Sequence, residues 1–146
     1  MPVNRITKVV VSGLVLTPKG ILIFQRAKDF KELEYGKGLW DLPGGEIEFS
    51  EDIFTALNRE LTEETGSKVL IETGEIDVIT EVLSTPETKS FRINILVKCK
   101  AELKDIKLSE EHNDYRFINA ANELNELEFL PGVGIYLNEH IEKLLI

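Results

Sequence analysis

The chain has 146 residues, of which 42% are hydrophobic and 29% charged, and its acidic residues outnumber its basic ones by 26 to 17. This length and composition are typical of a single globular domain covering residues 1–146, and they exclude a disordered chain. The formal charge of −9 lacks the basic excess that binds long nucleic acids, so we expect no DNA or RNA partner of that kind.

Cysteine content and the N-terminal sequence bear on the cellular compartment. Cys99 is the single cysteine, which excludes an internal disulfide and favours a reducing environment. The apolar run at residues 9–11 is far too short to cross a bilayer, and the first residues do not resemble a secretion signal. We therefore expect a cytoplasmic protein without a membrane partner.

Hydrophobic patterning predicts a mixture of strands and helices. The predicted strands cover residues 8–16, 21–25, 39–42, 69–83, 91–100 and 115–118. A Pro-Lys-Gly turn joins the first two strands as a hairpin, and the charged residues 27–37 form a loop. Helices are predicted over 51–66, 120–127 and 133–145. This interleaving indicates an α+β or an α/β sandwich.

The first predicted helix has clear start and stop signals. Ser50 is a suitable N-cap, and Glu51 and Asp52 place negative charge in the first turn, where it suits the helix dipole. Gly66 is expected to end the helix. The predicted buried face carries Ile53, Phe54, Leu57 and Leu61.

Three carboxylates of this helix lie close together. Glu60, Glu63 and Glu64 share an arc of about 100° at 3.6 residues per turn, and that arc borders the apolar face. Carboxylates in such a place repel one another and lose hydration. A divalent cation such as Mg²⁺ would compensate, because it prefers carboxylate oxygen. The alternative interpretation is an ordinary solvated face.

A longer pattern surrounds these acids. From Gly45 to Gly66 the chain reads G-x5-E-x7-R-E-U-x-E-E-x-G, where U is aliphatic. This pattern is the Nudix box, and the chain resembles the Nudix hydrolases, also called MutT-like proteins, with weaker similarity across residues 8–140. One position departs from the family, since the residue after the final glycine is usually aliphatic and here is Ser67.

The resemblance implies an α/β fold, an α/β/α sandwich around a mixed β-sheet, with the box as a loop–helix–loop. It also implies a hydrolase that cleaves a nucleoside diphosphate linked to another group X, with Mg²⁺ or Mn²⁺ as cofactor. The implied metal ligands are the carboxylates of Glu60, Glu63 and Glu64 and the carbonyl of Gly44. Arg59 would orient the acids through a salt bridge, and Glu51 would brace the loop.

A loop beyond the box is implied to supply a further catalytic acid. Alignment through Phe117 gives Glu111 that position, as general base and additional metal ligand, with Glu110 or a box glutamate as the alternative base. Solvated loop charges explain Glu110 and Glu111 equally well. His112 is expected to be a hydrogen-bonded loop residue rather than an acid or base, since Mg²⁺ sites favour oxygen.

Substrate contacts are also implied by the resemblance. Arg26 and Trp40 hold positions that meet the substrate, and the backbone at Gly44 and Gly45 can approach it closely. A surface salt bridge explains Arg26 nearly as well, and packing is the favoured alternative for Trp40. Val133 stands near the place where the founding member reads oxidised guanine with an asparagine, which argues against that specificity.

Together these features predict a Mg²⁺-dependent pyrophosphohydrolase whose partner is a small nucleotide, most simply a nucleoside triphosphate cleaved to monophosphate and pyrophosphate. ADP-ribose or another nucleotide sugar is the alternative substrate, although residues 81–84 lack the subclass proline or tyrosine. A nucleotide sensor without catalysis and an acidic interaction domain are the rival functions, and the complete set of box acids argues against the sensor. Proteins of the family that the chain resembles are often homodimers, but no patch in this sequence identifies an interface.

Overall fold

A computed structural model describes residues 2–66 and 72–145 of the chain. Its strands are β1 (Asn4–Thr17), β2 (Gly20–Arg26), β3 (Trp40–Asp41), β4 (Gly44–Glu46), β5 (Glu72–Ser84), β6 (Thr88–Lys100) and β7 (His112–Ile118). Its helices are α1 (Ile53–Thr65), a 3₁₀ helix (Ala121–Glu126) and α2 (Pro131–Leu144). Within these ranges, no helix combines the length and the apolar character that a membrane crossing requires.

The strands form one mixed sheet. Their order is β3-β2-β1-β6-β5, with β4 paired to β1 and β7 paired to β2. β1 runs parallel to β6, and the other paired strands are antiparallel. The predicted hairpin is confirmed, since Leu16 of β1 pairs with Ile21 of β2. Pairing of β4 with the middle of β1 fixes the glycine-rich loop just before α1.

One helix covers each face of the sheet, because alternate residues of a strand point to opposite sides. Leu14 of β1 packs in the cluster that contains Leu137 of α2, whereas the next residue, Val15, packs in the cluster that contains Leu57 of α1. The three layers confirm the predicted α/β/α arrangement. Cys99 is buried in the α1 cluster, and burial raises the pKa of its thiol to about 12, as expected for a core residue.

The start of α1 differs from the prediction. Asp52, and not Ser50, is the N-cap, and its Oδ1 accepts hydrogen bonds from two backbone N–H groups of the first turn, at 3.0 and 2.9 Å. Ser50 has φ +64 in the preceding turn, so the helix begins two residues later than predicted. Glu51 therefore precedes the helix. The predicted end is confirmed, because Gly66 adopts the left-handed conformation after the last turn.

Three other expectations are corrected. Phe54, predicted to be buried, is 43% exposed, because it lies in the first turn and full burial of α1 begins only at Ala56. Residues 120–127 contain a short 3₁₀ helix, whose N-terminus has no side-chain cap. His112 is a buried residue of β7 rather than a loop residue, because β7 extends further along β2 than predicted. Ser67 and the beginning of the predicted strand 69–83 lie outside the described residues.

Candidate functional site

The glycine-rich strand β4 lies directly against the acidic side of α1. Gly44 has φ +148, and a Cβ there would collide with the backbone carbonyl of Val11, so only glycine suits this position. A Cβ on Gly45 would lie 2.5 Å from the carboxyl carbon of Glu60. The backbone of β4 therefore lies directly against the side chain of Glu60.

Glu64 is the buried carboxylate of this surface. It is 3% exposed, and its Oε1 accepts a hydrogen bond of 2.8 Å from the backbone N–H of Gly44. Its Oε2 lies 3.4 Å from Nε2 of His112. Burial, reinforced by the negative charge of Glu60, raises the pKa of Glu64 well above its ordinary value. An ionised Glu64 therefore needs positive charge from a partner or ligand.

Arg59 joins the helix to the loop that precedes it. Its Nε and Nη2 donate to the two carboxylate oxygens of Glu51, at 2.8 and 2.9 Å, and Nη1 donates to Glu60 at 2.8 Å. Glu51 also accepts a hydrogen bond of 3.0 Å from the backbone of Glu48. These bonds raise the pKa of Arg59 and lower that of Glu51. The contacts tie Glu51 and Glu60 to Arg59, while the orienting role of Arg59 and the bracing role of Glu51 stay predictions.

The box carboxylates lie on one side of α1 but point in different directions. Glu60 is partly buried, and burial raises its pKa although the hydrogen bond from Arg59 opposes the change. The Glu63 side chain is 59% exposed and lies 3.6 Å from Arg59. No three acidic, histidine or cysteine side chains converge as a ready-made metal site within residues 2–66 and 72–145.

The donors nevertheless suit a hard divalent cation. Every candidate ligand on α1 and β4 is an oxygen, which Mg²⁺ and Mn²⁺ prefer. The raised pKa values of Glu60 and Glu64 show that burial disfavours two negative charges there, and a bound cation removes that penalty. The residues therefore fit the metal that the box pattern implies, provided that Glu60 turns from Arg59 toward it.

The loop before β7 brings Glu111 toward the box. The negative charge of Glu111 contributes to the raised pKa values of both Glu60 and Glu64, and its backbone carbonyl accepts a hydrogen bond of 2.8 Å from Ala27. Glu110 instead lies 3.5 Å from Lys28, with a side chain that is 92% exposed. The placement favours Glu111 over Glu110 as the loop acid.

Arg26 lies between the box and a second group of polar residues, which belongs to β6. Its guanidinium is 3.7 Å from the ring centroid of Phe30, and its Nε is buried without a hydrogen-bond partner among the described residues. Burial lowers the pKa of Arg26, while the charges of Asp41, Glu111 and Glu64 oppose this. A surface salt bridge therefore does not describe Arg26.

Trp40 is 4% exposed and lies in the core cluster beneath α2. Its ring faces the guanidinium of Arg116 at 5.2 Å, and its backbone N–H donates to Glu128 at 2.8 Å. This environment favours the packing interpretation over stacking on a substrate base.

Sequence reasoning missed a polar row on β6. The buried side chains of Ser90, Arg92 and Asn94 alternate along the strand, and Ser90 Oγ and Asn94 Oδ1 have no partner among the described residues. The Arg92 guanidinium lies 4.4 Å from the same Phe30 ring that Arg26 covers. Polar residues at every second position of β6 from Thr88 to Asn94 were the available signal. Asp41 was also missed, and burial raises its pKa.

Comparison with known proteins identifies the family. The family profile described as "NUDIX domain" matches residues 6–132. A curated relative, the nucleoside triphosphatase NudI of Escherichia coli O81 (strain ED1a), is 31% identical over 87 residues, which are 56% of this chain and 62% of the relative. The match therefore spans less than two thirds of that relative's length.

Solved structures share the fold. A MutT protein from Methanosarcina mazei Go1 is 24% identical, with a TM-score of 0.68 and 97% of each chain covered. A bifunctional NMN adenylyltransferase/ADP ribose pyrophosphatase from Francisella tularensis, complexed with AMP and a manganese ion, is 23% identical, with a TM-score of 0.68 over 94% of this chain and 42% of that one. These similarities confirm the three-layer fold. Because the family profile covers most of the chain, including the whole box, the protein belongs to the Nudix family.

Proposed function

We propose that this protein is a Mg²⁺- or Mn²⁺-dependent pyrophosphohydrolase that cleaves a phosphoanhydride bond in a nucleoside diphosphate linked to another group. The observation that carries this proposal is Glu64, a buried carboxylate held by the amide of Gly44 at 2.8 Å. Its raised pKa is typical of a functional carboxylate, because burial makes its charge depend on a ligand. Members of the Nudix family act on such bonds.

The residues divide into three roles. Glu60, Glu63, Glu64 and the carbonyl of Gly44 would hold the cation, which supplies charge neutralisation and polarises phosphoryl oxygens. Arg59 and Glu51 keep α1 and the box loop in register through their paired hydrogen bonds. Glu111 is the candidate that accepts a proton from the attacking water. The water oxygen bonds to one phosphorus atom, and the bridging oxygen leaves with the other phosphate.

The polar row of β6 is the candidate contact surface for the nucleoside part of the substrate. Buried polar atoms are nearly always hydrogen-bonded in folded proteins, so the partnerless Ser90 Oγ and Asn94 Oδ1 are positions for ligand or water. Arg26 connects this row with the box, since it lies over Phe30 beside Arg92 and is affected by the charge of Glu64.

A nucleoside triphosphate, cleaved to a monophosphate and pyrophosphate, is the first substrate candidate. The name of the NudI relative supports it. ADP-ribose is the second candidate, because the structurally similar Francisella protein is named for that activity.

We propose a homodimer in solution, which light scattering tests directly.

A coupled phosphate-release assay tests the proposed function. Wild type and Glu64→Gln are compared on nucleoside triphosphates, ADP-ribose and dinucleoside polyphosphates, with and without Mg²⁺. Inorganic pyrophosphatase detects pyrophosphate as a product, and alkaline phosphatase detects newly exposed terminal phosphates. We expect turnover only with Mg²⁺, reduced by on the order of 100-fold or more in Glu64→Gln. Nucleotide binding without turnover would identify a sensor instead, and metal-independent turnover would contradict the assignment of the box.

A further inference from the structure

His112 of β7 lies on the buried side of the box and is not one of the residues of the box pattern itself. Its Nε2 lies 3.4 Å from Oε2 of Glu64, and both side chains are at most 5% exposed. The imidazole stacks on Phe24 with a centroid distance of 4.7 Å and an interplanar angle of 22°. The place of His112 on β7 and its stacking on Phe24 therefore hold the imidazole next to Glu64.

The two ring nitrogens of His112 have different surroundings. Nδ1 of His112 is buried without a partner among the described residues, whereas Nε2 faces the carboxylate of Glu64 at 3.4 Å. We assign the single proton of the neutral ring to Nε2, because an ionised carboxylate can accept it there. The other oxygen of Glu64 is already held by the backbone N–H of Gly44. Two donors on different strands thus face the two oxygens of the same carboxylate.

We propose that His112 is a positioning residue that donates from Nε2 to Oε2 of ionised Glu64 and so fixes the carboxylate in the orientation used by the site. This inference rests on the proposed function, in which Glu64 holds a divalent cation. Outer-shell hydrogen bonds of this kind orient ligand oxygens, and their loss typically costs about 10–100-fold in metal affinity or activity. Without the donor, Glu64 would keep only the bond from Gly44 and could rotate about it.

Two substitutions separate positioning from packing. His112→Phe keeps an aromatic ring for stacking on Phe24 but has no donor. His112→Gln loses the ring, but its amide N–H reaches about as far as Nε2. If His112 positions Glu64, glutamine is the better replacement. If His112 only fills the core, phenylalanine is the better replacement, because burying an aromatic ring here satisfies the apolar neighbours.

The measurements are Mn²⁺ affinity, from the electron paramagnetic resonance signal of free Mn²⁺, together with kcat and KM. We expect His112→Phe to weaken Mn²⁺ binding by about 10-fold or more and to lower kcat by about 10–100-fold while KM changes little. His112→Gln should recover most of both losses. His140→Phe is the matched control, because His140 stacks on Tyr136 of α2 at 4.1 Å, and it should leave Mn²⁺ affinity and kcat unchanged.

The outcomes separate the two proposals. Wild-type Mn²⁺ affinity and kcat in a folded His112→Phe variant would overturn the positioning role while leaving the proposed function intact. A glutamine variant that is worse than the phenylalanine variant would overturn it as well. Wild-type protein with neither Mn²⁺ binding nor turnover would overturn the proposed function first and this inference with it. Mn²⁺ binding without turnover still tests His112, because the affinity comparison needs no chemistry.

Discussion

Two adjacent glycines hold the box loop against α1 for different physical reasons, and their alanine variants should separate chemistry from folding. A methyl group on Gly45 would meet the flexible carboxyl end of Glu60, so that side chain turns away and the fold survives. A methyl group on Gly44 would meet the backbone carbonyl of Val11 at a φ of +148, and neither can yield cheaply. We expect Gly45→Ala to keep its Tm within about 3 °C of wild type and to lose about 10–100-fold in activity.

Thermal unfolding and steady-state kinetics on the same preparations check this pair. Gly44→Ala is the control, and it should lower the Tm clearly, because a strained backbone affects the folded state itself. Full activity in Gly45→Ala, or a larger loss of Tm there than in Gly44→Ala, would contradict the assigned contacts.

The buried carboxyl of Glu64 should make stability depend on pH in a defined direction. Burial raises the pKa of Glu64 well above its ordinary value of 4.5, so the folded protein favours the protonated form. The stability contributed by this group is complete below pH 4.5 and is lost as the pH rises toward the higher folded-state pKa. In metal-free buffer, we therefore expect the Tm of Glu64→Gln to rise relative to wild type as the pH increases from 4.5.

Thermal unfolding of both proteins across this pH range, with chelator present, measures the effect. A difference in Tm that stays constant with pH would show that Glu64 does not titrate as its burial requires. The matched variant is Glu63→Gln, which removes one carboxylate from the same helix at a side chain that is 59% exposed and so controls for the loss of a box charge.

For single residues, the sequence pattern located the three acids on α1 but could not show which of their side chains point into the protein. Helical periodicity placed Glu60, Glu63 and Glu64 on one arc, which is confirmed. It could not show that Glu64 points inward while Glu63 stays exposed, because that depends on the amide of Gly44 and the ring of His112. Those groups come from β4 and β7 and reach Glu64 only through the tertiary fold.

The first turn of α1 provides a test of the observed helix start. Asp52 accepts two backbone hydrogen bonds and a third of 2.8 Å from Oγ1 of Thr55. Removing these acceptors in Asp52→Ala should lower the Tm by about 2–4 °C. Ser50→Gly is the matched variant, and it should keep or raise the Tm, because glycine is favoured at a φ of +64. The opposite ranking in thermal unfolding would restore Ser50 as the cap.

The sequence predicted an element boundary correctly where the local signal was unique. It missed the boundary where strand pairing decided it. The end of α1 was predictable because Gly66 is the only glycine near the last turn and suits the left-handed conformation. The start was ambiguous because Ser50 and Asp52 are both good caps. The start of β7 was missed because its first residue, His112, pairs with Arg26 of β2 beyond an irregularity in which β7 carries one extra residue, and this pairing is a non-local contact.

Across the whole molecule, a net charge of −9 attracts cations in general. An experiment must therefore distinguish Mg²⁺ bound at the box from general screening of the acidic surface. A ligand that binds only the folded state at 100 times its Kd stabilises by about 2.7 kcal/mol, and each kcal/mol shifts the Tm by about 2–4 °C in a domain of this size. We expect Mg²⁺ near that saturation to raise the Tm of wild type by several degrees. Glu64→Gln should lose most of this increase, while KCl at equal ionic strength should reproduce little of it, because monovalent salt screens exposed charges without occupying the site. An equal shift from KCl, or an undiminished Mg²⁺ shift in Glu64→Gln, would mean that the acidic surface as a whole attracts the cation and that the box does not hold it.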